Sequence, residues 1–134
     1  MRRLITIFLL SSVVLISGRG QTVPPELTEA IGKGNANKMA AFFHQSLEMT
    51  ILEKDYMASK NQATRIMENF FRNNPPTSFT ISFEGTKEKS KYAIGSLKTK
   101  EDIFRVNMFF LNRQDERLIY YLSIEKESQY EIRP

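Results

Sequence analysis

Four apolar segments separated by charged turns fill the second half of the chain: Ser78–Gly85, Lys91–Lys98, Ile103–Leu111 and Arg117–Lys126. Their alternation at every second residue predicts four strands. In the first, Phe79, Ile81 and Phe83 share a face opposite Thr80 and Ser82. In the third, Phe104, Val106, Met108 and Phe110 make a uniformly apolar face, and Ile103, Arg105, Asn107, Phe109 and Leu111 make the other. The last places Leu118, Tyr120, Leu122 and Ile124 opposite Ile119, Tyr121, Ser123 and Glu125. One face of such a sheet is core and the second only half polar, the pattern of an antiparallel sheet whose second face is partly covered.

Upstream the period changes. Pro24-Pro25 sets up a helix start, with Glu26 and Glu29 suited to its first turn and Leu27, Ala30 and Ile31 on one side. Gly32-Lys33-Gly34-Asn35 interrupts it. Asn35 or Asn37 then caps a second short helix, predicted to run through Gln45 with Met39, Ala40, Phe42 and Phe43 as its buried stripe. Leu47, Met49 and Ile51 alternate with polar residues as a strand, and Glu53-Lys54-Asp55 reads as a turn. Ser59-Lys60-Asn61-Gln62 is a capping box. It opens a helix carrying Ala63, Ile66, Met67, Phe70 and Phe71 on one face, which Asn73-Asn74-Pro75-Pro76 stops.

The first twenty residues stand apart. Met1-Arg2-Arg3 is a positive start, Leu4–Ile16 an apolar stretch, and Gly18-Arg19-Gly20 puts small residues at −3 and −1 of a cut before Gln21, as in a secretory signal peptide. The apolar stretch is short for a membrane span, which needs about 20 residues. This divides the chain into a signal peptide (1–20), a linker (21–25), a single α+β domain (26–127) and a C-terminal tail (128–134). The expected location is periplasmic or extracellular, with no membrane attachment after cleavage.

Export changes the charge argument. Arg2, Arg3 and Arg19 leave with the leader, so 16 basic residues face 15 acidic ones and the mature chain is close to neutral. The basis for a nucleic-acid partner is thereby removed. Lys87, Lys89, Lys91, Lys98 and Lys100 alternate with Glu84, Glu88, Glu101 and Asp102, which is a solvated turn surface. The chain has no cysteine, so thiol nucleophiles, disulfides and thiolate metal sites are excluded. A mature chain of roughly 114 residues is one domain, able to bury about two-thirds of its unfolded surface.

The order helix–helix–strand–turn–helix–four strands resembles the nuclear transport factor 2-like (cystatin-like) superfamily. Asn37–Phe43 leading into Leu47–Ile51, Ala63–Phe71, and the ending Leu118-Ile119-Tyr120-Tyr121-Leu122-Ser123-Ile124-Glu125 carry the likeness. The leader and Tyr92-Ala93-Ile94-Gly95 narrow it to a group similar to small secreted Bacteroidota proteins of unknown function. The resemblance implies an α+β cone, a strongly curved antiparallel sheet wrapped around about three helices. One fold hosts many activities, so it implies no particular chemistry.

Enzymes of that superfamily place Asp, Tyr or His inside the cone, where burial shifts a carboxyl pKa. Here His44 is the only histidine and is expected at the end of the second helix, without a dyad partner or metal-ligand set. Asp55-Tyr56 lies near the expected cone mouth, and Glu101-Asp102 reads as a turn. No catalytic set, cofactor site or metal site emerges. Two readings remain. One is a non-enzymatic binding module that pairs with itself or a protein partner through the outer sheet face, at Ile103, Asn107, Phe109, Leu111, Ile119 and Tyr121. The other is a binder of a small apolar ligand, or a weak acid–base enzyme, with a cavity walled by Tyr56, Phe70, Phe83, Tyr92, Met108 and Tyr120.

Overall fold

The structure is a computed structural model that describes residues 23–113 and 116–128. The leader and the last six residues of the tail lie outside them. Helix α1 (Pro25–Gly32) starts on Pro25, whose missing N–H costs nothing there, and buries Leu27, Ala30 and Ile31. Val23 just before it, assigned to the linker by sequence, is buried in the core. Helix α2 (Ala36–Ala40) is capped by Asn35, whose Oδ1 accepts from Lys38 N at 3.0 Å.

The helix predicted through Gln45 ends at Ala40, and β1 (Phe43–Ile51) begins at once. Tertiary pairing decides this. Phe42 O accepts a 2.7 Å hydrogen bond from Ile119 N, and Phe43 stands beside Ile119, so the chain turns at Ala41-Phe42 and Phe43 starts a strand. His44 is consequently a strand residue and not a helix C-terminal one. The expected turn at Glu53-Lys54-Asp55 is also shorter than predicted. Leu52 and Glu53 alone make it, and Lys54 opens a further strand, β2 (Lys54–Ser59).

Helix α3 (Lys60–Asn73) has the predicted capping box. Gln62 N donates to Ser59 Oγ at 3.2 Å and Ser59 N donates to Gln62 Oε1 at 3.0 Å. At its far end Asn74 donates to Phe70 O through both N and Nδ2, at 2.8 and 3.0 Å. These bonds satisfy a carbonyl that the helix leaves open.

Strands β3 (Pro76–Lys87), β4 (Ser90–Thr99), β5 (Ile103–Arg113) and β6 (Glu116–Lys126) follow. The sheet has the order β2-β1-β6-β5-β4-β3, with β1 parallel to β6 and every other pair antiparallel. It curves without closing, with α1 packed on β3 and α3 on β1 and β2. The concave side is filled by Phe43, Met67, Phe70, Phe104, Met108 and Phe110, all buried. Phe70 and Phe104 meet edge to face at 5.2 Å, tying α3 to the middle of the sheet.

Three β-bulges in the antiparallel pairs decide which side chains share a face there. Thr77 and Ser82 are extra residues on β3, and each donates its hydroxyl at 3.1 Å to a carbonyl of β4, Lys98 O and Ile94 O respectively. Because Ser82 is inserted, Ile81 stands opposite Gly95 on the inner face while Phe83 stands opposite Ile94 on the outer face. Tyr120 is the extra residue on β6. It shifts Ile119 into the core and leaves Tyr120 with the outer face, the reverse of the strict alternation expected from sequence.

Candidate functional site

The outer face is best described in rows, since residues paired across strands point the same way. One row crosses all six strands: Gly85, Tyr92, Phe109, Tyr121, Glu48 and Met57, from β3 through β4, β5, β6 and β1 to β2. The next holds Phe83, Ile94, Asn107, Ser123, Thr50 and Asp55.

These two rows hold a linked aromatic run. Phe83 lies 5.8 Å from Tyr92 (ring centroids), Tyr92 stacks on Phe109 at 5.3 Å with 18° between planes, and Phe109 meets Tyr121 edge to face at 5.8 Å. Tyr120 reaches Phe109 at 6.3 Å, and its hydroxyl is 2.9 Å from Ser90 Oγ. Each such ring pair is worth about 0.5–1.5 kcal/mol beyond the area it covers. The run nevertheless stays partly exposed to solvent. Phe83 is 52% exposed, Met57 is 74% exposed, and Tyr92, Phe109, Tyr120 and Tyr121 are half-buried.

The two groups of residues singled out by sequence are redistributed. Of the expected interface, Asn107, Phe109, Leu111 and Tyr121 do lie together on the outer face. Ile103 is on that face too, but the row Arg105–Glu125 separates it from the aromatic run. Ile119 is fully buried in the core, for the reason given by the β6 bulge. Of the expected cavity wall, Phe83, Tyr92 and Tyr120 belong to the outer-face run and Met108 to the filled core. Only Tyr56 and Phe70 remain together beside a cavity.

That cavity is a cleft of about 420 Å3 between the β1–β2 turn and α3. Ile51, Ile66 and Phe70 give it apolar surface, with Tyr56 at one side. Lys54 and Arg65 reach it from β2 and α3, and Asn69, Asn73 and Asn74 from the end of α3.

The acid–base candidates form no pair: Asp55 stands at the edge-strand end of the second row and His44 makes only a local contact. Asp55 is exposed on the outer face, where its Oδ1 accepts from Thr50 Oγ1 at 2.8 Å. His44 Nδ1 lies 3.1 Å from Ser46 O and 3.3 Å from Ser46 N, a local strand contact. Among the described residues no group of three or more His, Asp or Glu is placed to hold a metal ion, and no helix is long and apolar enough to cross a membrane.

Sequence reading missed Met57 and Ile94 on the outer face, and Lys54 and Arg65 at the cleft. Tyr56 and Ala58 alternating with Asp55, Met57 and Ser59 is the available strand signal. It was masked because a two-residue hairpin turn normally shows Gly or Asn, and Leu52-Glu53 has neither.

A curved six-stranded sheet around short helices is the architecture of nuclear transport factor 2-like proteins. One such protein of unknown function, from Shewanella baltica OS155, superposes with a TM-score of 0.60 at 11% identity, over 76% of this chain and 86% of its own. The chain itself belongs to the family of the domain of unknown function DUF4783, whose family model matches residues 25–125. Crystal structures of DUF4783 family proteins are similar. The one from Bacteroides uniformis ATCC 8492 is 31% identical with a TM-score of 0.72, covering 78% of this chain and 96% of that one. The one from Bacteroides ovatus ATCC 8483 is 27% identical with a TM-score of 0.74, covering 80% and 97%. Curated proteins yield no match.

Proposed function

We propose that this chain is a non-enzymatic, exported binding module that pairs with a second copy of itself through the outer face of the sheet. The observation that carries the reading is the open aromatic run Phe83–Tyr92–Phe109–Tyr121, which crosses four strands with no helix packed over it among the described residues. Aromatic groups with a polar tip suit surfaces that are wet in one state and dry in another.

Size and symmetry favour a second copy as the occupant. Six strands spaced about 4.8 Å apart, with rows extending about 27 Å along β5, make a face of roughly 650 Å2. A standard interface takes about 800 Å2 of accessible surface from each partner, which a textured face of that extent supplies. A two-fold axis through the aromatic run sets each copy's rings against the other's, and such self-facing contacts close without forming fibres. The non-enzymatic part rests on Asp55 being exposed at the edge strand, bonded to Thr50 Oγ1, and on His44 making only a local strand contact.

Light scattering over a concentration series tests the pairing. The mature protein is expected to be a dimer, and Phe83→Asp together with Tyr121→Asp to be a folded monomer. A mature protein that stays monomeric at every concentration sinks self-pairing. Export is tested separately by the intact mass of the secreted product, which should begin at Gln21.

A further inference from the structure

The cleft at the rim of the cone is independent of the outer sheet face. Its charge is one-sided: Lys54 and Arg65 line it, and none of its lining residues is a carboxylate. Neither cation has an ion-pair or hydrogen-bond partner among the described residues. Arg65, Asn69 and Asn73 fall at i, i+4 and i+8, so a single face of α3 brings one cation and two amides to the same wall. Beside them Ile51, Ile66 and Phe70 offer apolar surface.

The lip of the cleft is unusual in its backbone. Leu52 and Glu53 both have positive φ, 49° and 76°. Two-residue turns of this kind normally use Asn or Gly, which tolerate the left-handed region. Here a leucine occupies it and stays 39% exposed against the cleft. Strained residues of this kind gather at ligand sites.

We propose that this cleft binds a small organic carboxylate with an apolar body. The carboxylate sits at Arg65 and Lys54, and the body lies on Ile66 and Phe70 under Leu52. Arg presents a fork of N–H donors that matches a carboxylate, and Lys54 adds a second positive charge. The Tyr56 hydroxyl, which also has no hydrogen-bond partner among the described residues, is available to the same end.

Two terms oppose an anion. Asp55 lines the adjoining pocket with Tyr56, Arg65 and Ile66, but it is exposed to solvent and its Oδ1 accepts from Thr50 Oγ1. The C-terminal end of α3 carries a partial negative charge, felt within its last turn. Arg65 is two turns away from that end, and the two bonds from Asn74 to Phe70 O take up part of the exposed carbonyl charge. The anion therefore belongs at the Arg65 side, with the body directed toward Asn73. A volume of about 420 Å3 is at the small end of ligand pockets, which suits a chain or ring of about eight carbons.

Nuclear magnetic resonance titration of the full chain with octanoate, octanol and octylammonium tests this. Octanoate should give saturable shifts at Ile51–Tyr56 and along α3 from Arg65 to Asn74. Octanol should bind several-fold more weakly, and octylammonium should not saturate. Lys54→Gln and Arg65→Gln should each weaken octanoate about two- to five-fold, the range of a solvent-accessible ion pair. Both side chains are exposed, so the fold survives their replacement. Reversing both, Lys54→Glu with Arg65→Glu, should turn the preference toward octylammonium. Octanol binding as tightly as octanoate, octanoate without saturable shifts at the cleft, or a double glutamine variant with unchanged affinity would each overturn the proposal.

Discussion

The two faces of the sheet use the same residue types to opposite ends. On the inner face Phe104, Phe110 and Met108 are fully enclosed by α3 and the neighbouring strands. On the outer face Phe83, Tyr92, Phe109 and Tyr121 are just as well stacked on one another, yet remain open to water. Burial by a second layer separates core from contact surface here, and hydrophobicity alone does not. A ring packed against its neighbours within a single face gains stacking energy, but stays half wet until something covers it.

Substitutions on the two faces should therefore separate cleanly. The largest expected effect is Phe104→Ala. It opens a cavity beneath Phe70, and its expected cost is about 3–5 kcal/mol in a denaturant melt. A loss below about 1 kcal/mol would mean that the core collapses around the gap.

Next come two glycines that aromatic rings cover, one on each face. A Cβ at Gly95 would clash with the buried Phe79 ring at Cζ and meet the β3 backbone at Thr80 O at 3.0 Å. Gly95→Ala should cost about 1–3 kcal/mol. At Gly85 the atoms met are the far end of the Tyr92 ring, Cζ and Oη at 2.9 Å, which can swing toward solvent. Gly85→Ala should cost clearly less, and equal losses at the two positions would erase the contrast between faces.

Ser59→Ala removes the cap of α3 and should cost about 1 kcal/mol, read as a lower melting temperature. Phe83→Ser, on the open face, removes one ring pair and should cost about 0.5–1 kcal/mol of monomer stability while weakening self-association. The smallest effect concerns Glu29, whose carboxyl pKa is lowered by its 3.0 Å hydrogen bond to Lys33 and by that residue's charge. A lowered folded-state pKa means that the contribution is present above the ordinary carboxylate range and is lost as pH falls through the folded value. The pair is fully exposed, so Glu29→Gln should leave the acid limb of a stability–pH curve unchanged within error.

Much of this architecture is legible residue by residue. The capping box at Ser59 and Gln62 is a local exchange of two hydrogen bonds, so the sequence announces it directly. The stripe Ala63, Met67, Phe70 and Phe71 follows from the helical period. The alternation in β4 and β5 needs no partner to be read, because a strand turns its side chains over at each residue. The resemblance to the nuclear transport factor 2-like superfamily rested on that order of elements, and the fold agrees.

The two candidate sites were legible only in part. Asn107, Phe109 and Leu111 share a face in sequence and in the fold because β5 carries no extra residue, and Tyr121 joins them as the partner of Phe109 on β6. Phe83 and Tyr120 point the opposite way from the strict alternation because nothing local marks Ser82 or Tyr120 as an extra residue, and Tyr92 faces outward with its partner Phe109. Of the cleft only Tyr56 and Phe70 are legible, because Lys54-Asp55, the start of β2, reads as a turn and the cations come from two elements that meet only in the fold.

The sequence by itself determined the helix starts, five of the six strands and which of them carry an apolar face, because periodicity and capping act within a few residues. The tertiary structure alone decided where Phe42 and Phe43 leave the helix, where the bulges at Thr77, Ser82 and Tyr120 fall, and which aromatic rings end on the open side. Those outcomes depend on registers between strands far apart in the chain. A single inserted residue reverses every side chain beyond it, so the face that meets water is settled by pairing and not by the local pattern.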